Sequence, residues 1–452
     1  MKCGILASPM NLWKLRLPVC AVDLVILLTI PCSSRAQGTP ANLPRVTLTA
    51  APAPIYSTRP DDPWNRIFYF LFSRHLQVRL SPDFSEGAPY ADLGGRAPVS
   101  TRVFERDETG DRAIGPMYPT FFVAFGSMLV LRDPVYPKFN KSLQDALDDN
   151  SPRSPVARAL MQNDLWGAYD ALFFPFLPDD ERALGERRKA TLAVIARIIR
   201  KIALTPDQIK ALPENYSAVV PRQSFPDVFA KNSGWLEVEW FMPRQHDAEA
   251  GYRKVSRVFL KPTHSPHEMG RFLNSVAEDP ANPASLDGVA LITQLLLLNS
   301  NGQAQPTRLT VEAEARLFDR SHAGTPITSV KVCEISRRVF LEDPASGGLM
   351  AEDESAPAYL SNGGSYRFAE GQLMPGHQPE ITEPVEVKLR SRCAACHGEN
   401  LEQVMTFSIA SPPHAALPPI KQLNSAGTEA AAFDISAKRK QQDFKSLLEY
   451  FR

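Results

Sequence analysis

Gly288-Val289-Ala290-Leu291-Ile292-Thr293-Gln294-Leu295-Leu296-Leu297-Leu298 is followed by Asn301-Gly302 and then by Thr307-Arg308-Leu309-Thr310-Val311-Glu312-Ala313-Glu314-Ala315-Arg316-Leu317-Phe318. The first run is apolar and long enough for a strand buried on both faces. Asn-Gly between two such runs is the preferred pair for a tight hairpin turn, because both residues accept positive φ at little cost. Working outward, Leu236, Val238 and Trp240 alternate with Glu237 and Glu239 as in a half-buried strand. Tyr252 to Leu260 and Val330 to Leu341 read as further strands. A mainly antiparallel region is therefore expected over 234–345.

N-terminal to it the period changes from two to 3.6. Aspartates before Pro63 suit a helix start, and Trp64-Asn65-Arg66-Ile67-Phe68-Tyr69-Phe70-Leu71-Phe72 then reads as an amphipathic element packed into a core. Ser154-Pro155 open a helix that runs to Phe173. A longer one spans Asp179 to Ile202, with Leu184, Thr191, Leu192, Ile195, Ile198, Ile199 and Ile202 on one face. Its Arg187, Arg188, Lys189, Arg197 and Arg200 read as a solvated face. Thr205-Pro206 start a short third helix. The fold class expected is α+β: a mainly helical region 63–233, a β-rich region 234–345, and a C-terminal segment 346–452. Thr120 to Leu131 is apolar, and periodicity does not decide between strand and helix there.

The C-terminal segment contains Ser391-Arg392-Cys393-Ala394-Ala395-Cys396-His397-Gly398. Cys-x-x-Cys-His reads as a haem c attachment site. Two thiols at this spacing add to the two vinyl groups of one porphyrin, and the histidine that follows is held beneath the iron as proximal ligand. In these residues the chain resembles the c-type cytochromes; the preceding three hundred or so residues are outside the resemblance. The resemblance implies covalent haem c on Cys393 and Cys396, His397 as proximal iron ligand, assembly outside the cytoplasm, and one-electron exchange with a redox partner protein.

In small c-type cytochromes a methionine several tens of residues after the motif supplies the distal ligand, and this chain departs from that pattern. Met374, in Met374-Pro375-Gly376, ranks first as distal ligand, followed by His414, then Met350 and Met405. Other chemistries stay open. A distal position without a protein ligand would suit a haem-dependent, peroxidase-like oxidoreductase. Without haem, Cys393 and Cys396 would form a disulfide or thiol-redox pair after the strand-like Val385-Glu386-Val387-Lys388-Leu389, or a zinc site borrowing His377 or His414. His246, His264 and His267 read as surface loop residues. No dinucleotide fingerprint, Gly-x-Ser-x-Gly elbow, His-Glu-x-x-His or phosphate loop is present.

The N-terminus fits an exported protein. Lys14 and Arg16 precede an apolar run from Leu17 to Ile30, about 14 residues long, too short to span a bilayer comfortably. Ser34-Arg35-Ala36 offers the small residues of a cleavage site, so 1–36 is expected to be a signal peptide, with Met10 as an alternative start. Thr29-Ile30-Pro31 before Cys32 is a poor lipidation signal, so cleavage after Ala36 is expected rather than a lipid anchor, and the mature chain is expected to be periplasmic or secreted. Residues 37–62, rich in Pro, Ala and Thr, read as a linker.

Losing Lys2, Lys14, Arg16, Arg35 and Asp23 from 50 basic and 50 acidic residues leaves a mature charge of about −3. That balance creates no field for nucleic acid or an anionic membrane, and no later segment has the apolar length of a transmembrane helix. Cys333 is the third cysteine of the mature chain, and it reads as a buried, inert core thiol.

Overall fold

The computed structural model describes residues 55–59, 61–75, 79–80, 99–101, 112–114, 130–131, 133, 135–173, 182–239, 253–264, 268–278, 285–319, 327–352, 357–361, 368–369, 372–373, 385–388, 420–423 and 428–452. All of them belong to one compact unit, Leu43–Arg452. The fold is α+β, with helices at both ends of the sequence and a seven-stranded antiparallel sheet between them.

The sheet consists of β1 (Leu236–Glu239), β2 (Lys254–Pro262), β3 (Leu286–Leu298), β4 (Ala304–Asp319), β5 (Ile327–Ile335), β6 (Leu349–Glu352) and β7 (Lys421–Gln422). Strands β1 to β6 are neighbours in chain order, and β7 returns to pair antiparallel with β1. The hairpin expected from Asn301-Gly302 joins β3 to β4, with Gly302 at φ 72° and its N–H donating to Asn299 O at 2.9 Å. The strand read over Val330 to Leu341 is shorter than expected. It stops at Ile335, where Ser336 Oγ accepts from Val339 N at 3.4 Å and caps a helix, Arg337–Glu342.

One face of the sheet carries Val255, Phe259, Ala290, Ile292, Ala313, Ala315, Cys333 and Ile335 into the main core. The other places Val238, Val258, Leu260 and Phe318 against Leu273 and Val276 of helix Met269–Glu278. Because both faces are covered, Glu237 is not solvated as its alternation suggested. It is buried in a bidentate pair with Arg257, at 2.8 and 2.7 Å.

The helical layer comprises α1 (Pro63–Phe72), α2 (Val135–Asp148), α3 (Pro155–Phe173), α4 (Arg182–Ile202), α5 (Pro206–Lys210) and α6 (Tyr216–Gln223); α7 and α8 are Met269–Glu278 and Arg337–Glu342, and α9 (Thr428–Lys440) and α10 (Gln442–Glu449) close the chain. The starts follow local chemistry. Asp62 accepts from Trp64 N at 2.9 Å ahead of Pro63, Ser154 Oγ accepts from Ala157 N at 3.1 Å ahead of Pro155, and Thr205 with Gln208 makes a reciprocal capping box ahead of Pro206.

Helix α3 is the central post, buried on nearly every side. Its Gln162 closes two hydrogen bonds with the backbone of Leu298, to the carbonyl at 2.9 Å and from the N–H at 2.7 Å, pinning the end of β3. At the described end of the stretch read as a linker, Ile55 and Tyr56 are likewise buried in this core.

Candidate functional site

The sequence-derived site residues Cys393, Cys396, His397, Met374 and His414 lie outside the described residues, as do His377 and Met405. What is described is the chain on either side of the motif. Upstream, Val385–Lys388 is a strand in a four-stranded sheet, antiparallel to Pro357–Ser361 and parallel to Arg79–Leu80. Downstream, Ile420 and Leu423 are buried around β7, which pairs Lys421 with Glu239 and Gln422 with Val238. Strand Gln372–Leu373, paired with Phe368–Ala369, ends immediately before Met374. Met350 lies on β6 opposite Glu334 and is 48% exposed. His264 is exposed just beyond β2, while His246 and His267 are not described. Cys333 is buried as expected, with Sγ 3.8 Å from Gln223 Oε1.

After β7 the chain enters α9 and α10, which dock on α3 through a layer of buried charge. Phe444 stacks on Trp166 with centroids 5.8 Å apart, and Leu447 is fully buried beside them. Lys438, with no exposed surface, uses its three ammonium donors on Asp170 Oδ2 at 2.9 Å, Gln441 Oε1 at 2.8 Å and Asp443 Oδ2 at 2.7 Å. The ammonium also lies 5.4 Å from the Trp166 ring centroid. Arg253 Nε reaches the same Asp170 Oδ2 at 3.0 Å. Burial, then the neighbouring Asp443 charge, pushes the Asp170 carboxyl well above its ordinary value against the pull of Lys438 and Arg253. Burial also acts upward on Asp443, but the Lys438 charge and hydrogen bonds from Asp170, Lys438 and the Phe444 N–H hold it below the ordinary carboxylate value.

Nearer the N-terminal end of α3, Asp164 receives Arg337 Nε at 3.0 Å and an Nη at 2.5 Å, and also the Tyr56 hydroxyl. Burial raises Asp164, and Arg337 opposes it; burial together with the Asp164 charge raises Tyr56 well above the usual phenol value. These groups tie the segment around Tyr56, α3 and α8 into one frame. Such charged pairs were not identified from sequence, because an isolated Asp or Lys reads by default as surface. The one available signal was the density of polar residues, Gln162, Asn163, Asp164 and Asp170, inside an otherwise apolar helix.

The basic face of α4 is partly solvated as expected, with Lys189, Arg197 and Arg200 exposed. It borders an open recess of about 540 Å³ lined by Leu147, Arg197, Arg200, Lys201, Glu449 and Tyr450. Two of its cations serve helix ends: Arg200 donates to Tyr450 O at 2.8 Å, and Lys201 to Leu147 O and Asp149 O at 2.6 Å each. Arg187 is half-buried, on Leu131 O at 3.0 Å and Asp133 at 2.9 Å. Among the described residues no group of three His, Cys, Asp or Glu is placed to hold a metal ion, and no helix is long and apolar enough to cross a membrane.

No family model, curated protein or solved structure matches this chain.

Proposed function

We propose that this chain is an exported monohaem c protein that passes single electrons to a redox partner protein. The observation that carries the reading is the spacing of Cys393, Cys396 and His397. The donor set suits the group: two thiols for the two vinyl carbons of one porphyrin, and an imidazole directly after them for the iron. Haem c supplies a one-electron iron couple when bound. Cys393 and Cys396 would hold the macrocycle as thioethers, His397 would hold the iron, and Met374 or His414 would complete its coordination. A methionine there raises the potential relative to a second histidine; a position without a protein ligand would favour the peroxidase-like oxidoreductase instead. The signal-like segment 1–36 supports a periplasmic or secreted location, where haem c is assembled.

A second reading has one observation in its favour. Val385–Lys388 is a strand, and Cys393 follows it five residues later in the sequence, a spacing that also suits a thiol-disulfide pair.

Expression with haem c maturation, acid-acetone extraction and a pyridine haemochrome spectrum separates the two. The proposal expects an α band that survives extraction and disappears in Cys393→Ala/Cys396→Ala. A folded protein, supplied with haem, that shows no such band overturns it and leaves the thiol pair. In the native protein, a change of the axial-ligand signature in the ferric absorption or EPR spectrum of Met374→Ala or of His414→Ala then identifies the distal ligand.

A further inference from the structure

Arg197, Arg200 and Lys201 stand at i, i+3 and i+4 near the end of α4, so their side chains leave the helix on one face. All three are exposed, and all three line the recess of about 540 Å³ between the ends of α2, α4 and α10. Like charges at these spacings repel one another, so helix formation does not ask for them. On other parts of the surface Arg66, Lys141, Arg187 and Arg271 meet carboxylates at 2.6 to 3.1 Å. Among the described residues no carboxylate pairs with Arg197, Arg200 or Lys201. Glu449 lines the same recess and is exposed in it, yet it forms no ion pair with them either.

The partners these cations do have are neutral. Arg200 uses Nη1 on Tyr450 O, and Lys201 uses two of its three donors on Leu147 O and Asp149 O. Arg197 makes no hydrogen bond among the described residues. The three carbonyls close the C-terminal ends of α10 and α2, and a helix end carries about half a negative charge. Set against two such ends and Glu449, three cations leave the recess with an excess of about one positive charge.

We propose that this recess binds a small organic phosphate monoester. A phosphate head offers three terminal oxygens, and the remaining donors of Arg197, Arg200 and Lys201 come from one helix face, where they can close on a single tetrahedral group. The forked guanidinium matches two phosphate oxygens at once, which a flat carboxylate uses less fully against three cations. Leu147 and the half-buried Tyr450 give the organic part an apolar wall. The volume falls within the ordinary range of small-molecule sites, and the open mouth makes binding weak and sensitive to salt. Glu449 repels the ligand and so limits its affinity. The inference does not rest on the haem reading.

Isothermal titration calorimetry of the full chain with phenyl phosphate at low ionic strength tests this. One saturable site is expected, with an affinity that falls as salt is added. Arg197→Gln removes a cation that holds no other part of the described fold, and it is expected to weaken binding at least about fivefold. Glu449→Gln is expected to tighten it. Lys189→Gln, at an exposed cation of the same helix outside the recess, is expected to leave it unchanged. Inorganic phosphate, which has no body to lay against Leu147 and Tyr450, should bind more weakly than phenyl phosphate. The absence of a saturable site up to about 10 mM ligand overturns the proposal. Equal losses in Arg197→Gln and Lys189→Gln also overturn it, because net charge alone then accounts for the binding. A lipid can present the same phosphate head, so sedimentation with vesicles containing phosphatidic acid is the second arm. Protein that pellets with them through Arg197 while binding no soluble ester overturns the small-molecule assignment.

Discussion

Asp164 and Arg337, 173 residues apart in the chain, meet as a buried bidentate pair at 3.0 and 2.5 Å that fastens α3 to the helix between β5 and β6. Removing the cation alone leaves a carboxylate in the interior, which costs about 3–5 kcal/mol, whereas replacing both by apolar residues of similar size is far milder. Arg337→Met is therefore expected to be strongly destabilising in urea unfolding; Asp164→Leu added to it should recover part of the loss, and Tyr56→Phe added to both should recover most of it, since the Tyr56 hydroxyl then needs no acceptor.

Gln162 predicts a second sensitive position. Its amide satisfies both the N–H and the carbonyl of Leu298 at 2.7 and 2.9 Å. Gln162→Leu fits the space but leaves two buried backbone groups without partners, at about 1–3 kcal/mol each. Amides at the end of β3 should exchange faster in this variant than amides at its start.

At Gly348 the backbone has φ 67°, and an added Cβ would overlap Phe340. Gly348→Ala is expected to cost more than the ~1 kcal/mol of left-handed strain alone, because the new methyl overlaps Phe340 Cβ and Cα and the backbone of α8 must also shift. Thermal unfolding of Gly348→Ala beside Gly185→Ala, where nothing lies within 4 Å of the new methyl, isolates the effect.

The acid side has its own marker in Asp149. Burial acts upward on this carboxyl, but hydrogen bonds from Ser151 and Arg153, with Arg153 Nη2 at 2.9 Å, lower it to about 2. Its folded value being depressed, its contribution to stability is present above the unfolded carboxylate value and is lost as pH falls through about 2. Arg153→Gln should move the carboxyl titration of Asp149 up toward its ordinary range in a ¹³C-detected NMR titration.

The parts of the fold legible in sequence are those set by neighbours along the chain. Asn301-Gly302 turned the β3–β4 hairpin, and Ser154-Pro155 and Thr205-Pro206 opened their helices where expected. The isoleucine face of α4 is the buried one, with Ile195, Ile198 and Ile199 at no exposure. Each of these depends on a period or a cap within a few residues. The strand read through Leu341 ended early because Ser336 caps as well as it extends, and only the return of the chain to Asp164 through Arg337 decides between the two.

The amino-acid sequence by itself determined the α+β class, the order of helices and strands, and the Cys393, Cys396 and His397 pattern on which the haem proposal stands. Tertiary structure alone decided which charges are interior: Lys438 between Asp170 and Asp443, Glu237 against Arg257, Arg337 on Asp164. The reason is one of range. Capping and periodicity act over one or two turns and are written locally, whereas a buried charge is tolerable only when a partner from a distant segment arrives with its hydrogen bonds, and no local pattern names that partner.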